Sequence, residues 1–558
     1  MNHRRLRIAF LLLPWHFSAG AAGAESVVIA LRPSMPAIEK PGVTPLNWAR
    51  TAVPDADRTD PGLKLTLQTP FRWVVSPGDA FPVTVSSDRK DDSDKSVLTV
   101  WDWTGNAVVQ RQFALPVAKA IEFTVADRGT YLLTLDRYAG TKHLSRLVRS
   151  FSVCPPNQGR RKLWDLNRFF VGACSFPDRQ NWGSEYGKGH PEGLTPRESA
   201  ELEAELSSRL GIQTVRLNSG PGDSNEWAFE LYAAKGIRPY IQLWLPNVDV
   251  LPTYQNVTDP KWRYPRPEAP SRTHDADVAK RYGKRALFFE INNEPDNEDF
   301  WRGTPEEFID LHRWAVEEIR REAPGAILAN GGYCLIKPEW FAKYVEAFRG
   351  TTDWIAYHTH GALPACIEGF QAIRQAHEEA GYQHPVFVNT EMGHAAWRLD
   401  MERVQAYVTL QKILYFWAHD NRGVLLYNSR NIGGVRQGEG EADWGYLDHF
   451  FCPRFTYGAV AALLDWFAGT RFESVLREER QLHAYCFSAE GRRLVTVFDP
   501  TAKGPAQEIT VRSDARTALS LDPMGNATPL ADARRVRLKA SAYPALVVLE
   551  GASGAALE

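Results

Sequence analysis

Short apolar runs alternate with amphipathic segments through the middle of the chain, from residue 163 to residue 469. We predict that the apolar runs are strands with these bounds: Phe169–Ser175, Thr214–Asn218, Pro239–Trp244, Leu287–Asn293, Ala326–Asn330, Trp354–His358, Val386–Glu391 and Gly423–Asn428. Strands that alternate with helices form a parallel sheet, and about eight such units close into a barrel. The pattern therefore predicts an α/β fold, a (β/α)8 TIM barrel, for residues 163–469.

The segments between these strands show helix start signals. Thr195–Glu198 and Thr304–Glu307 each place proline directly after the threonine and glutamate three positions after it. This is the capping-box pattern with proline at the first helical position. The apolar residues that follow fall on one helix face, at Leu202, Leu206 and Leu210 in one segment and at Phe308, Leu311, Ala315 and Ile319 in the other. Residues 459–467 predict the last helix of the barrel.

Alternation with a period of two, typical of strands, dominates the flank that precedes the barrel. The runs are Leu63–Leu67, Phe81–Val85, Val97–Trp103, Ala107–Phe113, Ile121–Val125, Tyr131–Leu135 and Leu147–Val153. So many short strands without helices between them predict an immunoglobulin-like β-sandwich within residues 25–160. The proline-rich stretch Ser26–Asp60 predicts an extended lead-in, and Pro155–Arg161 predicts a linker.

The same alternation returns after the barrel. Its runs are His483–Phe487, Leu494–Phe498, Glu508–Val511, Val536–Leu538 and Leu546–Leu549. We predict a small C-terminal β-domain over residues 470–558. A structural role is the preferred interpretation, and carbohydrate binding is the alternative.

Residues 1–24 have the pattern of a signal peptide. Arg4, Arg5 and Arg7 precede the apolar run Ile8–Leu13, and Ala22–Ala24 offers small residues for cleavage. The apolar run is too short to span a bilayer. We expect a cleaved signal peptide and a secreted or periplasmic protein without a membrane span in the mature chain; an uncleaved signal anchor is the alternative.

The overall composition excludes some partners. Among 558 residues, 65 Lys and Arg balance 67 Asp and Glu, so charge gives no reason to expect nucleic acid or an anionic membrane as a partner. The 18 tryptophans are an excess that suits cores and also flat platforms for sugar rings. The cysteines lack the close spacing of metal ligands, so we expect buried free thiols, with disulfides as the alternative, and neither a metal nor a cofactor. They are Cys154, Cys174, Cys334, Cys366, Cys452 and Cys486. The oligomeric state is left open.

Two glutamates lie at predicted strand ends, where barrel enzymes have their catalytic residues. The run Phe288–Pro295 ends the fourth predicted strand with Asn293-Glu294-Pro295, and the run Pro385–Glu391 ends the seventh with a glutamate. Active sites of such barrels lie at the C-terminal ends of the strands. Carboxyl groups about 5 Å apart there would cleave a glycosidic bond with retention, with Glu391 as nucleophile and Glu294 as acid/base. Asn293 would then bind the sugar hydroxyl beside the reacting carbon.

On these motifs the barrel, over roughly residues 165–470, resembles the clan A (4/7 superfamily) glycoside hydrolases, which end strands four and seven in glutamate. Asn293–Pro295 and Thr390-Glu391 match its two motifs. A barrel flanked by β-domains is similar to family 39 and more loosely to families 5 and 30. The resemblance implies a glycoside hydrolase fold and activity, with Arg216 steadying the nucleophile and His358 or His360 as the partner of Glu391 after strand six.

Two segments near strand eight bear on the resemblance. Asp443–Leu447 and Pro453–Tyr457 resemble a run that these enzymes carry before the last helix. Many members end strand eight in tryptophan as the floor of the sugar subsite, whereas this chain has Leu425–Arg430 there. The departure leaves the substrate preference open.

The other candidates each have a plain structural alternative. Glu290 lies in mid-strand, and a buried ion pair is the preferred interpretation. We expect Arg216 to hold Glu391 in a bidentate contact, and only one of His358 and His360, preferably His358, to point to the barrel mouth. Aromatic residues that would line sugar subsites are Trp182, Trp227, Trp244 and Tyr427. Glu441 and Asp443 would bind substrate hydroxyls or be solvated charges.

The sequence thus favours an exported retaining glycoside hydrolase whose partner is a carbohydrate substrate. Two alternatives use the same fold: a catalytically silent carbohydrate-binding protein, and a transglycosylase that passes the sugar to another sugar. The first is disfavoured because a binding protein has no need of paired carboxyls. Sugar identity, linkage, and endo or exo action depend on loops and are not encoded in these motifs.

Overall fold

The structure is a computed structural model that describes residues 25–29, 63–67, 72–87, 95–115, 117–177, 194–219, 226–243, 268–298, 300–301, 303–396, 399–431, 443–502 and 506–558. The predicted signal peptide therefore lies outside the described residues. Among the described residues, no helix has the length and apolar character needed to cross a membrane.

The central sheet contains eight parallel strands. They are β10 Phe170–Cys174, β11 Thr214–Asn218, β12 Tyr240–Leu243, β13 Phe289–Asn293, β14 Leu328–Gly332, β15 Ile355–His360, β16 Phe387–Gly393 and β17 Gly423–Leu426. Neighbours follow the order β14, β13, β12, β11, β10, β17, β16, β15. The remaining gap between β14 and β15 closes through backbone bonds near both ends of β14: Trp354 N to Leu328 O at 3.0 Å and His358 N to Tyr333 O at 2.8 Å. The predicted TIM barrel is confirmed.

Each strand of the barrel is followed by a helix. The helices are α1 Pro196–Leu210, α2 Glu226–Ala234, α3 Glu268–Tyr282, α4 Pro305–Glu322, α5 Pro338–Phe348, α6 Leu363–Glu379, α7 Leu399–Ala418 and α8 Phe455–Trp466. Both predicted capping boxes form. The side chains of Thr195 and Thr304 accept from the backbone N–H three residues on, and the backbone N–H of each threonine donates to the side chain of that glutamate. The predicted apolar stripe of α4 is buried. Helix α8 begins four residues before the predicted start at 459, and Arg454 occupies its N-cap position without a side-chain capping hydrogen bond.

Two sheets precede the barrel and share one apolar core. Their strands are β1 Glu25–Ile29, β2 Leu63–Leu67, β3 Val74–Val75, β4 Ala80–Ser87, β5 Lys95–Trp101, β6 Ala107–Ala114, β7 Val117–Val125, β8 Gly129–Ala139 and β9 Lys142–Val153. One sheet has the order β1, β7, β4, β2 and the other β3, β9, β8, β5, β6. All seven predicted strands are present. The start of the predicted extended lead-in is a strand, because the backbone of β1 pairs with Ile121–Val125 of β7; residues 30–60 lie outside the described residues.

Two further sheets follow the barrel and share another apolar core. Their strands are β18 Arg471–Glu479, β19 Leu482–Ala489, β20 Arg492–Phe498, β21 Gln507–Ser513, β22 Thr517–Leu521, β23 Ala527–Pro529, β24 Arg535–Ala540, β25 Ala545–Glu550 and β26 Ala555–Leu557. All five predicted strands lie within this set. Strands such as β18 escaped prediction because their side chains are mostly exposed or half-buried, so no apolar alternation marks them.

The segment predicted to be a linker packs against the barrel. Gln158–Leu163 forms a short 3-10 helix. Before it, the buried Asn157 side chain donates to the backbone of Leu210 at 3.0 Å and of Ala461 at 2.9 Å. Arg161 donates to three more backbone carbonyls of the barrel. The connection between the β-sandwich and the barrel is therefore fixed by hydrogen bonds.

Candidate active site

The backbone at the end of β13, which positions Glu294, adopts an energetically unfavourable conformation. Asn292 has φ 71° and Glu294 has φ 40°, both in the left-handed region that side chains with a Cβ avoid. Such residues cost about 1–3 kcal/mol each and persist only where their surroundings fix them. Here Asp296 supplies the fixing contacts, because its buried carboxylate accepts from the backbone N–H groups of Cys334 at 3.1 Å and Leu335 at 2.5 Å. Asn297 Nδ2 donates to Glu294 Oε2 at 2.8 Å.

Glu391 lies near the end of β16 and is ion-paired with Arg216 of β11. The pair joins Arg216 Nη1 to Glu391 Oε1, and both side chains are buried. The predicted bidentate contact is absent, since the buried Arg216 Nε has no hydrogen-bond partner among the described residues. The guanidinium instead lies 5.4 Å from the ring of Phe176 and 6.0 Å from that of Tyr427. Two aromatic faces and one carboxylate therefore surround the arginine.

The two glutamates face each other closely. One carboxylate oxygen of Glu294, one of Glu391, and a ring nitrogen each of His358 and His360 all lie within 4.8 Å of one another. Both carboxylates are nearly buried, with side-chain exposures of 9% and 8%. An inverting pair would stand about 6.5–9.5 Å apart to admit a water molecule. The arrangement therefore fits the short spacing of a retaining pair.

Charge keeps Glu391 ionised. Burial alone would raise its pKa, but the Arg216 guanidinium, followed by His358 and His360, outweighs burial and holds the pKa of Glu391 well below its usual range. A carboxylate that stays ionised at neutral pH is available as a nucleophile.

His358 lies between three carboxylates and is completely buried. Its Nδ1 is 2.6 Å from Glu294 Oε1 and 3.7 Å from Glu391 Oε2, and its Nε2 is 3.8 Å from Glu290 Oε1. Burial alone would lower the pKa of His358, but Glu391 and then Glu290 and Glu294 raise it to about 10. The imidazole is therefore charged at neutral pH.

The expectation that only one of the two histidines points to the mouth is wrong. His360 Nε2 lies 3.5 Å from Glu391 Oε2, and its side chain is one-third exposed. Residues two apart on a strand share a face, so both rings reach the carboxylates. His360 meets Glu391 from the open side, whereas His358 meets it from below.

Glu290 is buried inside the barrel, but an ion pair is only part of its environment. Its Oε1 accepts from the backbone N–H of Gly332 and from the Thr390 hydroxyl, both at 3.0 Å. Its Oε2 accepts from the Tyr240 hydroxyl at 3.1 Å. Three donors from three strands contact this carboxyl, and His358 is its nearest cation among the described residues.

Asn293 is oriented by a neighbour that sequence reasoning missed. Gln242 Nε2 on β12 donates to Asn293 Oδ1 at 2.9 Å, which turns the Asn293 amide N–H groups away from Gln242. A hydrogen-bond donor beside Glu294 is what the predicted contact with a sugar hydroxyl requires. Gln242 lies two residues before the predicted strand end, and nothing in its local sequence marks it.

Aromatic residues close one side of the site. The half-buried Tyr427 ring lies 5.7 Å from the His360 ring, and the Trp444 ring lies 5.1 Å from it on another side. Trp444 was missed as a site residue, although its segment contributed to the family resemblance. Among the predicted sugar platforms, Trp244 and Trp182 lie outside the described residues.

Two of the three other sequence candidates have described positions. Trp227 lies on α2, where Arg197 of α1 covers its ring at 4.9 Å, so it packs between outer helices. Asp443 is buried with its carboxylate 3.4 Å from Arg454, so the interpretation as a solvated charge is wrong. Glu441 lies outside the described residues.

One cavity lies away from these groups. It measures about 1280 Å³ at the N-terminal end of the barrel, between the strand starts and the first hairpin of the C-terminal sheets, with Arg422, Arg471 and Trp417 in its lining. None of the residues that line it is Glu294, Glu391 or a neighbour of theirs described above. Barrel enzymes act at the opposite end, so the carboxylate pair marks the candidate site.

Comparisons with known proteins address the fold. No protein-family profile matches the chain, and no curated protein matches it. A family 39 glycoside hydrolase from the gut symbiont Bacteroides cellulosilyticus WH2 aligns with a TM-score of 0.64 and 16% identity, over 87% of this chain and 100% of that one. A family 39 β-xylosidase from Caulobacter crescentus aligns over 69% and 97%, with 14% identity and a TM-score of 0.49.

At these identities the first alignment establishes the fold, and the second adds nothing to it. The resemblance expected from the sequence is confirmed at that level. The chain has a fold similar to that of a family 39 glycoside hydrolase, a TIM barrel with additional β-domains.

Proposed function

We propose that the chain is a retaining glycoside hydrolase that cleaves O-glycosidic bonds in oligo- or polysaccharides by double displacement. The observation that carries the proposal is the buried pair of Glu294 and Glu391, with carboxylate oxygens within 4.8 Å of each other at the C-terminal end of the barrel. Within the part of the chain that the structure describes, only one of the two, Glu391, is ion-paired with an arginine. The difference in environment supports different roles for the two carboxyls.

In the first step the Glu391 carboxylate attacks the anomeric carbon. The bond from that carbon to the leaving oxygen breaks, and Glu294 gives its proton to this oxygen. In the second step Glu294 takes a proton from water, the water oxygen attacks the anomeric carbon, and Glu391 is released. Two inversions give overall retention. Asn293, oriented by Gln242, is placed to bind the hydroxyl next to the reacting carbon.

Substitution of each glutamate tests the assignment. We expect Glu391→Gln to lose roughly 10⁴-fold or more in kcat, because no group replaces the nucleophile. Glu294→Ala should retain activity toward aryl glycosides with very good leaving groups, which need no proton. The measurement is a kinetic survey of aryl glycosides and polysaccharides, with the anomer of the first product read by NMR.

Glu318→Gln is the matched control, since Glu318 is a buried carboxyl on the outer helix α4. It should keep wild-type kinetics. Near-normal hydrolysis by Glu391→Gln would contradict the assignment. Binding of saccharides without any turnover would indicate the silent binding protein, and products extended by a sugar would indicate a transglycosylase.

A further inference from the structure

Glu290 is a buried charge that the double displacement does not use. Its exposed fraction is 0%, and a carboxylate taken out of water is costly unless it is paired and hydrogen-bonded. The hydroxyls of Tyr240 and Thr390 and the backbone N–H of Gly332 all donate to it. These three hydrogen bonds compensate the carboxyl group for its removal from water.

The nearest positive charge to this anion is the ring of His358. Nε2 of His358 faces Glu290 at 3.8 Å and has no hydrogen-bond partner among the described residues, while Nδ1 faces Glu294 at 2.6 Å. The imidazole thus stands between the buried anion and the proposed acid/base residue. Each ring nitrogen is directed to a different carboxylate, as in the arrangement by which an acid orients a catalytic histidine.

The absence of a side chain at Gly332 leaves space for the His358 ring. A Cβ on Gly332 of β14 would lie 2.1 Å from His358 Nε2, so only glycine leaves room for the imidazole. The ionisable groups around the ring come from several strands. They are Glu290 and Glu294 on or after β13, Glu391 on β16 and His360 on β15, with Arg216 of β11 behind Glu391 and Tyr240 of β12 behind Glu290.

The buried cluster contains two cations and three carboxyl groups. Arg216 pairs with Glu391, and an imidazolium at His358 faces both Glu290 and Glu294. With the proton that the proposed function assigns to Glu294, the cluster has no net charge. When that proton leaves, the Nδ1–H of the imidazolium is in place to donate to the new carboxylate.

We propose that Glu290 is a positioning residue: it holds His358 as an imidazolium whose Nδ1–H stabilises the Glu294 carboxylate as its proton passes to the leaving group. The proposal rests on the acid/base role proposed above for Glu294. Atoms balance, since the Glu294 proton ends on the leaving oxygen, the imidazolium keeps both of its protons, and water restores the Glu294 proton in the second step.

The first test reads the histidine directly. The full chain, labelled with ¹⁵N-histidine, is titrated by NMR as wild type and as Glu290→Gln, and the His358 signal is assigned by its loss in His358→Asn. We expect the pKa of His358 to fall by roughly one unit or more in Glu290→Gln, because an opposite charge has been removed. Glutamine fits the site, since the Tyr240 hydroxyl can accept from it instead of donating.

The second test reads the acid/base step. In Glu290→Gln we expect kcat to fall roughly 10–100-fold for substrates with poor leaving groups and to change little for substrates with very good ones. A loss that is equal for all leaving groups, or an unchanged His358 pKa, overturns the proposal. The NMR test stands even if no glycoside is cleaved, so failure of the proposed function is distinguishable from failure of this role.

Two further variants keep the test decisive. Gly332→Ala alters no ionisable group but displaces the ring, so the same dependence on the leaving group should appear in it; kinetics equal to wild type in a folded Gly332→Ala contradict the proposal. Glu318→Gln controls for the loss of a buried carboxyl elsewhere and should leave both the His358 titration and the leaving-group dependence unchanged.

Discussion

At the scale of single residues, the site is organised by which carboxyl receives which cation. Arg216 is the only arginine among the described residues whose ion pair joins it to Glu391. This contact and the two histidines hold the pKa of Glu391 below its usual range despite burial. The proposed nucleophile is therefore ionised at neutral pH.

Replacement of Arg216 by methionine tests that organisation. Without the guanidinium, burial should raise the pKa of Glu391, so the acid limb of the kcat/KM profile moves to higher pH by roughly one to three units. In the wild type, the depressed pKa of Glu391 adds stability above its unfolded pKa of about 4.3, and this stability is lost as the pH falls through the folded pKa. We expect the free energy of unfolding of Arg216→Met to lack this pH-dependent stabilisation.

Arg430→Met is the matched control for this substitution. Arg430 is also buried, and its ion pair is with Glu203 at 3.2 Å. Its loss should destabilise the protein without moving the acid limb. An acid limb that stays in place in Arg216→Met contradicts the charge assignment of Glu391.

The sequence predicted the identity of the key residues better than their contacts. Glu294, Glu391, Arg216 and Asn293 follow from strand ends and from the family motifs. The contacts of His358 with Glu290 and Glu294 do not, because they join β13 to β15 through the barrel interior. Gln242 and Trp444 were missed for the same reason, because only the closure of the barrel brings each of them to the site.

At the scale of elements, local signals placed strands and helices well. β11 has the predicted bounds, and β13 ends at the predicted Asn293. No barrel strand differs from its predicted bounds by more than two residues at either end. One such difference is at the end of β17, where the strand ends at Leu426, two residues before the predicted Asn428. Beyond it, Ser429 and Arg430 turn to contact the buried Glu203. A tertiary contact ended the strand, and no local residue pattern records it.

The capping box of α4 offers a test at this scale. Thr304 Oγ1 accepts from Glu307 N at 3.2 Å, and Glu307 Oε2 accepts from Thr304 N at 2.8 Å. We expect Thr304→Ala to lower the free energy of unfolding by about 1 kcal/mol. Chemical denaturation measures it.

Thr304→Ser is the control, because serine retains the capping oxygen. It should be close to wild type in stability. Equal stability of Thr304→Ala and wild type would show that packing of the buried α4 stripe alone holds this helix start.

At the scale of the whole molecule, the N-terminal sheets, the barrel and the C-terminal sheets meet in a network of ion pairs and hydrogen bonds around Asp465 of α8. Asp465 pairs with Arg128, from the turn before β8, at 2.7 Å, and with Arg160 of the connecting 3-10 helix. Asn526, in the turn before β23, contacts the backbone of Arg128 at 2.8 and 2.9 Å. No sequence pattern predicted this junction, since its residues lie far apart along the chain.

The overall architecture was nevertheless predictable. Period-two runs, capping boxes and strand count were sufficient for the barrel and its β-rich flanks, and the comparison with a solved family 39 structure agrees over 87% of the chain. Export stays a prediction from residues 1–24, which N-terminal sequencing of the mature protein checks. The sugar and the linkage depend on loops, and the sequence motifs do not encode them.

Covalent trapping is the most direct test of the central claim that Glu294 and Glu391 form a retaining pair. The protein is incubated with a panel of 2-deoxy-2-fluoroglycosyl fluorides, which slow release of the glycosyl-enzyme, and the intact mass and peptide map are recorded. The account gives one covalent fluorosugar on Glu391 and none in Glu391→Gln. A fluorosugar on another residue, or a first product with inverted anomeric configuration, would contradict it.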